Sequence, residues 1–528
     1  MQQKKLIKVL NKIITKNYLL KLSFFLIAIN ALCISTYSGY KGIFPIDSFL
    51  IFNSGYNVIN NIHPFKDYWS ITGPLLDYLQ ALFFVVMGVN WHAYVLHASI
   101  INVILSLTVF YLFINLNIKL IYSLLYSISI GVLAYTSIGT PFVDHHAAIF
   151  STISVSFAII ALNSNRKKFW FVSAIFLTFS FFSKQIPSVY LFFFLFFILL
   201  IKLIFIKKDK SIIYFIIGST TGTAIFLAIF LFFQIPLKEF LIQYIYYPNS
   251  IGENRTKNLN LNFKNSIMQF KFIYIALLPM VTGLLALKKK EINLNNKIDL
   301  LVLFMISGSI FIFIYTQLLT KNQVLIFFLI PWILGLSHYY LSKYYNKKFN
   351  IYILMFLLII TTIKYHIRFN EEKKFMEFIK TDFKRSINAK ILDERLNGLK
   401  WITPKYSKNP MYELNLLKQK KKIIRQDQEN KIIITDYLIL PAIIGNAKYA
   451  PNKWFDEQSV PKKRNIYFNN YKNFFNDNLK KQEIKNIYIV GGDKKYISFL
   501  KIFGDRKCTN FKKLNEITIK LSIKKCKI

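Results

Sequence analysis

The sequence predicts a mainly α-helical, polytopic membrane protein of about eleven transmembrane helices, with a small α/β domain at its C-terminal end. Three observations predict it. Of 528 residues 54% are hydrophobic, with 52 Phe and 32 Tyr against 18 Gly and 14 Pro, a balance too apolar for an ordinary water-soluble chain. Apolar runs of roughly twenty residues, the length that crosses a bilayer as a helix, recur through the first 366 residues. From Lys364 onward the runs stop, and that tail holds 38 Lys/Arg and 17 Asp/Glu, half of the total net charge of +42. Positive charge of that size suits anionic lipid head groups. It would also suit nucleic acid, but a nucleic-acid partner leaves the apolar runs unexplained.

Taken in order, the expected spans are 22–39, 92–114, 118–137, 147–163, 169–183, 187–206, 211–234, 270–287, 298–317, 323–342 and 350–366. The stretch 74–87 is apolar but shorter, and is expected to lie in the interface or to be partly re-entrant. Lys4, Lys5, Lys8, Lys12, Lys16 and Lys21 place the N-terminus in the cytoplasm by the positive-inside rule. Alternation then puts the basic loops 164–168, 207–210, 288–297 and 343–348 on the same side. The connections 40–91, 138–146, 184–186, 235–269 and 318–322 fall outside, as does the tail. The basic-then-apolar start resembles a secretory signal, but no small-residue cleavage site follows, so an uncleaved anchor is expected. The domains are thus 1–366 in the membrane, with 40–91 as the first outer loop, and 367–528 outside it.

The tail alternates like strands at 431–440 and 484–493, and 411–423 reads as a helix. The Gly491-Gly492-Asp493 turn after a strand is a weak phosphate-loop signal. Cys508 and Cys526 lie together in this domain, where an oxidising exterior would allow a disulfide.

Polar residues gather on the expected outer face. Asp47, Asp67 and Asp77 lie in the first outer loop, Asp144, His145 and His146 in the second, Lys184 and Gln185 in the third, Arg255 in the fourth, and Lys321, Asn322 and Gln323 in the last. Ionisable groups at membrane depth are functional candidates. Each also has a plainer role: Asp47 and Asp144 as helix caps, the histidines as interfacial side chains, Lys184 as a snorkelling lysine, Asp67 and Asp77 as loop and helix-surface residues. Asp144 with His145 is an alternative site for a divalent metal, although adjacent histidines on a helix point about 100° apart.

The first outer loop, FPIDSFLIFNSGYNVINNIHPFKDYWSITGPLLDYLQALF (44–83), resembles that of the GT-C glycosyltransferases, nearest to the protein-mannosyltransferase-like and aminoarabinose-transferase-like families. TPFVDHHAAIF (140–150) is similar to their second-loop acidic site and SKQIPSVY (183–190) to a lysine-bearing segment at the next outer turn. The likeness covers most of 20–345. It departs from the family where Asp47 is followed by Ser48 instead of a second acid, and where the usual glycine of the PFKDY turn is replaced.

The resemblance implies inverting transfer of a sugar from a polyprenyl-phosphate donor to a cell-envelope acceptor at the outer face of the plasma (inner) membrane. In that scheme Asp47 is the general base, since a carboxylate within reach of the acceptor hydroxyl serves that role. Asp144 orients acceptor or donor. His145, His146, Lys184, Gln185, Arg255 and Asp67 line the substrate site, with Lys184 or Arg255 meeting the leaving phosphate. No cofactor is certain and a divalent metal is possible. Two other membrane functions remain open: a surface-glycan polymerase or ligase working through the loop 235–269, and a transporter of lipid-linked glycans. The near absence of charge from the mid-span segments disfavours the transporter.

Overall fold

The architecture comes from a computed structural model, which describes the chain apart from residues 1, 136–137, 206–208, 258, 260, 288–293, 321–324, 345–347, 457, 492–508, 516–517 and 524–528. Helices dominate the first 366 residues. They are α1 (Gln2–Gly39), α2 (Pro45–Ile59), α3 (Leu75–Met87), α4 (Trp91–Asn115), α5 (Leu120–Leu133), α6 (Val143–Ser164), α7 (Lys168–Ser183), α8 (Gln185–Phe205) and α9 (Ser211–Phe232), then the short α10 (Leu237–Phe240), α11 (Tyr247–Lys257), α12 (Lys271–Leu287), α13 (Leu294–Thr320), α14 (Leu329–Tyr344) and α15 (Lys348–His366).

The expected eleven spans are corrected to seven. Among the described residues, seven helical stretches are long and apolar enough to cross a membrane: Asn17–Gly39, Trp91–Asn115, Val143–Ser164, Gln185–Phe205, Ser211–Phe232, Asn296–Thr320 and Asn350–Met376. The segments expected at 118–137, 169–183, 270–287 and 323–342 are helical but shorter. As α5, α7, α12 and α14 they run for 14, 16, 17 and 16 residues. That is a rise of about 21–26 Å, short of the roughly 30 Å hydrocarbon core. The loss at α5 has a visible cause. Ala134 turns extended and Tyr135 adopts a left-handed φ of 55°, so the helix stops at Leu133, short of the expected end of the span.

The bundle is layered around α6. In its most apolar window 83% of residues are buried, against 22–33% for α1, α8, α9 and α15, which therefore present most of their surface outward. The sequence of α6 explains its place. Small and hydroxylated residues allow neighbouring helices to approach and cross-bond. Ser151 bonds Ser180 at 2.8 Å, Ser154 bonds Ser173 at 3.0 Å, and the Trp332 indole donates to Ser156 at 3.0 Å.

The tail forms a small α/β unit. A two-stranded ladder pairs β1 (Ile387–Asn388) with β2 (Lys400–Trp401). A four-stranded sheet has the order β3 (Lys431–Thr435), β4 (Asn486–Val490), β6 (Thr518–Ile523), β5 (Thr509–Asn515), with β3 and β4 parallel and the remaining pairs antiparallel. Every residue of β3 and β4, the parallel pair, is buried, as for parallel strands covered on both faces. α16 (Pro410–Gln426), α17 (Leu440–Ile444) and α18 (Phe468–Lys481) complete the unit. Cys508 and Cys526, with Gly492 and Asp493 of the glycine turn, lie outside the described residues, as do Lys321, Asn322 and Gln323.

The tail is packed onto the first loop at two places. Gly42 and Ile43 donate to the carbonyls of Lys400 and Ile402 at 3.1 Å, and Phe49 of α2 stacks on Trp401 with ring centres 5.9 Å apart. At the second place Trp69 pairs with Asn452 in a parallel bridge, Trp69 N–H donating to Pro451 O and Lys453 N–H to Trp69 O.

Candidate active site

Asp47 lies in the first turn of α2. It is not the helix cap. Pro45 opens the helix, and the reciprocal bonds that close its first turn belong to Ser48: Ser48 N–H donates to Phe44 O at 2.8 Å, and Ser48 Oγ accepts from Phe44 N–H at 2.9 Å. Ser48 Oγ thus satisfies the Phe44 N–H as the returning half of a capping box does, although Phe44 gives no side-chain cap in exchange. It leaves the Asp47 carboxylate without a hydrogen-bond or ion-pair partner among the described residues. Burial, and then the negative charges of Asp144 and Asp456, push that carboxyl up to about 7. All three causes disfavour the ionised form.

Asp144 occupies the first turn of α6 and likewise makes no cap bond. Its carboxylate is paired with the ammonium of Lys184, the residue that ends α7. The pair joins the two helix ends beside Asp47. Lys184 is therefore not snorkelling alone; its side chain is only 17% exposed.

The remaining candidates divide. His146 is wholly buried in a relay: its ring bonds the Tyr135 hydroxyl at 2.5 Å through Nδ1 and reaches His97 Nε2 at 3.2 Å, while His97 Nδ1 meets Gln80 Oε1 at 2.9 Å. His145 is buried as well and packs edge-on against Tyr135. Gln185 donates to the carbonyls of Ile71 (3.2 Å) and Tyr244 (2.6 Å), so it fastens the first loop to the segment after α10. Asp67 is buried, accepts from His63 N–H at 2.9 Å and meets Lys481 of α18 at 3.3 Å. Arg255 sits in α11, and its side chain is outside the described residues. The structure thus pairs Asp144 with Lys184, puts the Asp144 charge within reach of Asp47, and gives Gln185 and Asp67 fastening contacts. Among the described residues no group of three or more His, Cys, Asp or Glu is placed to hold a metal ion, so Asp144 and His145 find no third ligand of those types there.

Two residues of consequence escaped the sequence. Asp77 reads as a helix-surface residue, yet it is fully buried and accepts from Ser54 Oγ (2.7 Å), Tyr68 OH (3.0 Å) and Lys453 Nζ (2.6 Å). Asp456, from the tail, is the second carboxylate whose charge reaches Asp47. No local signal marks either, because the groups that set them apart, Lys453 for Asp77 and Asp47 for Asp456, lie hundreds of residues away in the chain.

The arrangement offers a proton acceptor poised near neutrality next to a carboxylate–ammonium pair, at the end of a helical bundle. Neither a scan against protein-family models nor a search of curated proteins finds a match to this chain.

Proposed function

We propose that the chain is a membrane glycosyltransferase that moves a sugar from a polyprenyl-phosphate donor to a hydroxyl of a cell-envelope acceptor, on the outer side of the plasma membrane. The observation that carries this reading is Asp47: a partly buried carboxyl without a partner among the described residues, raised to about 7, beside Asp144 and Lys184. A general base works best when its pKa lies near the working pH. The resemblance of the first loop to GT-C enzymes supports the same reading.

In the proposed reaction the acceptor hydroxyl gives its proton to a carboxylate oxygen of Asp47 as its own oxygen bonds to the anomeric carbon. The bond from that carbon to the phosphate oxygen breaks, and polyprenyl phosphate departs with the bonding electrons. One displacement inverts the anomeric centre. Lys184 is ion-paired with Asp144, and its ammonium meets the negative charge that grows on the phosphate. Asp144 fixes that ammonium in place.

The test uses purified full-length protein in nanodiscs with a panel of polyprenyl-phosphate sugars, and reads release of polyprenyl phosphate. Release by the wild type that falls roughly 10²-fold or more in Asp47→Asn, the scale of a lost general base, is expected. Equal release by both proteins removes Asp47 from the chemistry. No release from any donor by the wild type, with candidate acceptors present, rejects the substrate class.

A further inference from the structure

The last membrane helix ends in a row of cations that the fold does not use. Lys364 lies in the last turn of α15, Arg368 in the π-helical turn Ile367–Glu371 that continues it, and Lys374 opens the 3-10 turn Lys374–Met376. With Ile367 and Glu372 they line a pocket of about 370 Å³, within the size range of small-ligand sites. Lys271, which opens α12, stands beside it: the ammonium groups of Lys271 and Lys364 lie 5.5 Å and 4.5 Å from the centre of the same Phe272 ring. Among the described residues none of these four cations is ion-paired, and Arg368 Nε is buried with no hydrogen-bond partner. Their neighbours in the chain turn the other way. Glu371 takes the Lys41 ammonium at 2.8 Å and the Tyr37 hydroxyl at 2.9 Å, and the fully buried Lys373 bonds Ser38 Oγ at 3.1 Å. Residues 371 and 373 thus fasten this stretch to the end of α1, while 364, 368 and 374 are left to the pocket.

We propose that this pocket binds the phosphate of an anionic bilayer phospholipid. Three cations against one carboxylate, Glu372, select an anion, and a phosphate supplies the acceptor oxygens that lysine and arginine donors need. The position selects a lipid. Phe356, Ile359, Ile360, Ile363 and Ile367 are exposed at helical spacing. They make one apolar stripe along the last candidate span, Asn350–Met376, and its upper end, Ile367, is a wall of the pocket. Acyl chains laid on that stripe bring a head group to Lys364, Arg368 and Lys374, as basic pockets beside membrane helices hold acidic lipids. A lipid held there braces the stretch of chain that leads from α15 into the tail, next to the bonds from Glu371 and Lys373 to the end of α1. The inference uses neither Asp47 nor Lys184 and stands apart from the sugar-transfer reading.

The test is native mass spectrometry of the full chain in detergent, titrated with phosphatidylglycerol or with phosphatidylcholine of the same acyl chains, reading the affinity for the first lipid bound. At the strength of lysine and arginine contacts to anionic head groups, losing three cations should weaken phosphatidylglycerol binding about tenfold or more. The variant Lys364→Gln/Arg368→Gln/Lys374→Gln should show that loss and bind phosphatidylcholine as wild type does. The control Lys462→Gln/Lys463→Gln/Arg464→Gln removes the same charge from exposed positions of the tail and should keep the wild-type affinity for phosphatidylglycerol. An unchanged affinity in the first variant overturns the proposal. So does an equal loss in the control, because net charge alone would then be the cause. Inorganic phosphate separates the two sources of the anion: if millimolar phosphate fully displaces phosphatidylglycerol from wild type, the pocket is a site for the free ion and the lipid reading falls. A second measurement needs no variant. Phosphatidylglycerol with a photoreactive group on its head should label wild type within 364–374, and labelling confined to other segments overturns the proposal.

Discussion

Replacing Lys453 by Met should undo the attachment of the tail at neutral pH. The Lys453–Asp77 pair is dry, with side chains 1% and 0% exposed, and among the described residues Asp77 receives two further bonds, from the neutral hydroxyls of Ser54 and Tyr68. Breaking a buried pair from one side costs about 3–5 kcal/mol, because an uncompensated charge stays behind. The loss in Lys453→Met should therefore reach roughly 3–5 kcal/mol at pH 7. Asp77→Asn combined with Lys453→Met removes both charges and should recover most of it. The assay is urea unfolding of the tail in nanodiscs, followed by tryptophan fluorescence, since Trp69, Trp401 and Trp454 are all buried and Trp69 and Trp401 lie at its two contacts with the first loop. A loss below about 1 kcal/mol at pH 7, or a double variant as unstable as the sum of the singles, would refute the reasoning.

Other expectations follow from the same contacts. Asp47 has a folded-state pKa above that of an ordinary aspartate, so its stabilising contribution is greatest at low pH and is lost as the pH rises through about 7. Asp47→Asn should accordingly melt higher than wild type at pH 8, with the gain vanishing near pH 4, as thermal unfolding at several pH values would reveal. At Gly73 a Cβ would sit 1.9 Å from the Phe182 carbonyl oxygen, where Gly73 N–H bonds Ser183 O at 3.0 Å. Gly73→Ala should part the first loop from α7 at a cost of about 1–3 kcal/mol, visible as faster proteolysis within 60–75; unchanged cleavage would show that the contact is not needed.

What could be read from the sequence depended on range. Apolar composition marks segments that avoid water, and each expected span does contain a helix. Composition does not say where the backbone leaves the helical region, and Ala134 and Tyr135 end α5 short of the expected end of its span. The two helices of the first loop were legible because acid, turn and apolar run lie within forty residues. Capping at Asp47 was a fair inference from spacing, but the helix begins two residues earlier, at Pro45, which moves the returning side chain to Ser48. Asp77 and Asp456 were out of reach. One lysine among the many basic residues of the tail carries no mark that it will be buried on a particular carboxylate, and the turn at Asp456 gains its position only from bonds made elsewhere.

The buried Lys453–Asp77 bond also sets a clock on biogenesis. The two residues are 376 positions apart, so at about 5–20 residues per second the ribosome needs roughly 20–75 s to make the second after the first. Through that interval the first loop carries a carboxylate whose cation does not yet exist, and it must remain open to water or to a proton. Closure of the loop then reports that translation has passed residue 453 and that the tail has folded. A chain released early keeps its membrane helices and lacks the closure, which gives the cell's proteases a chemical distinction between finished and unfinished copies.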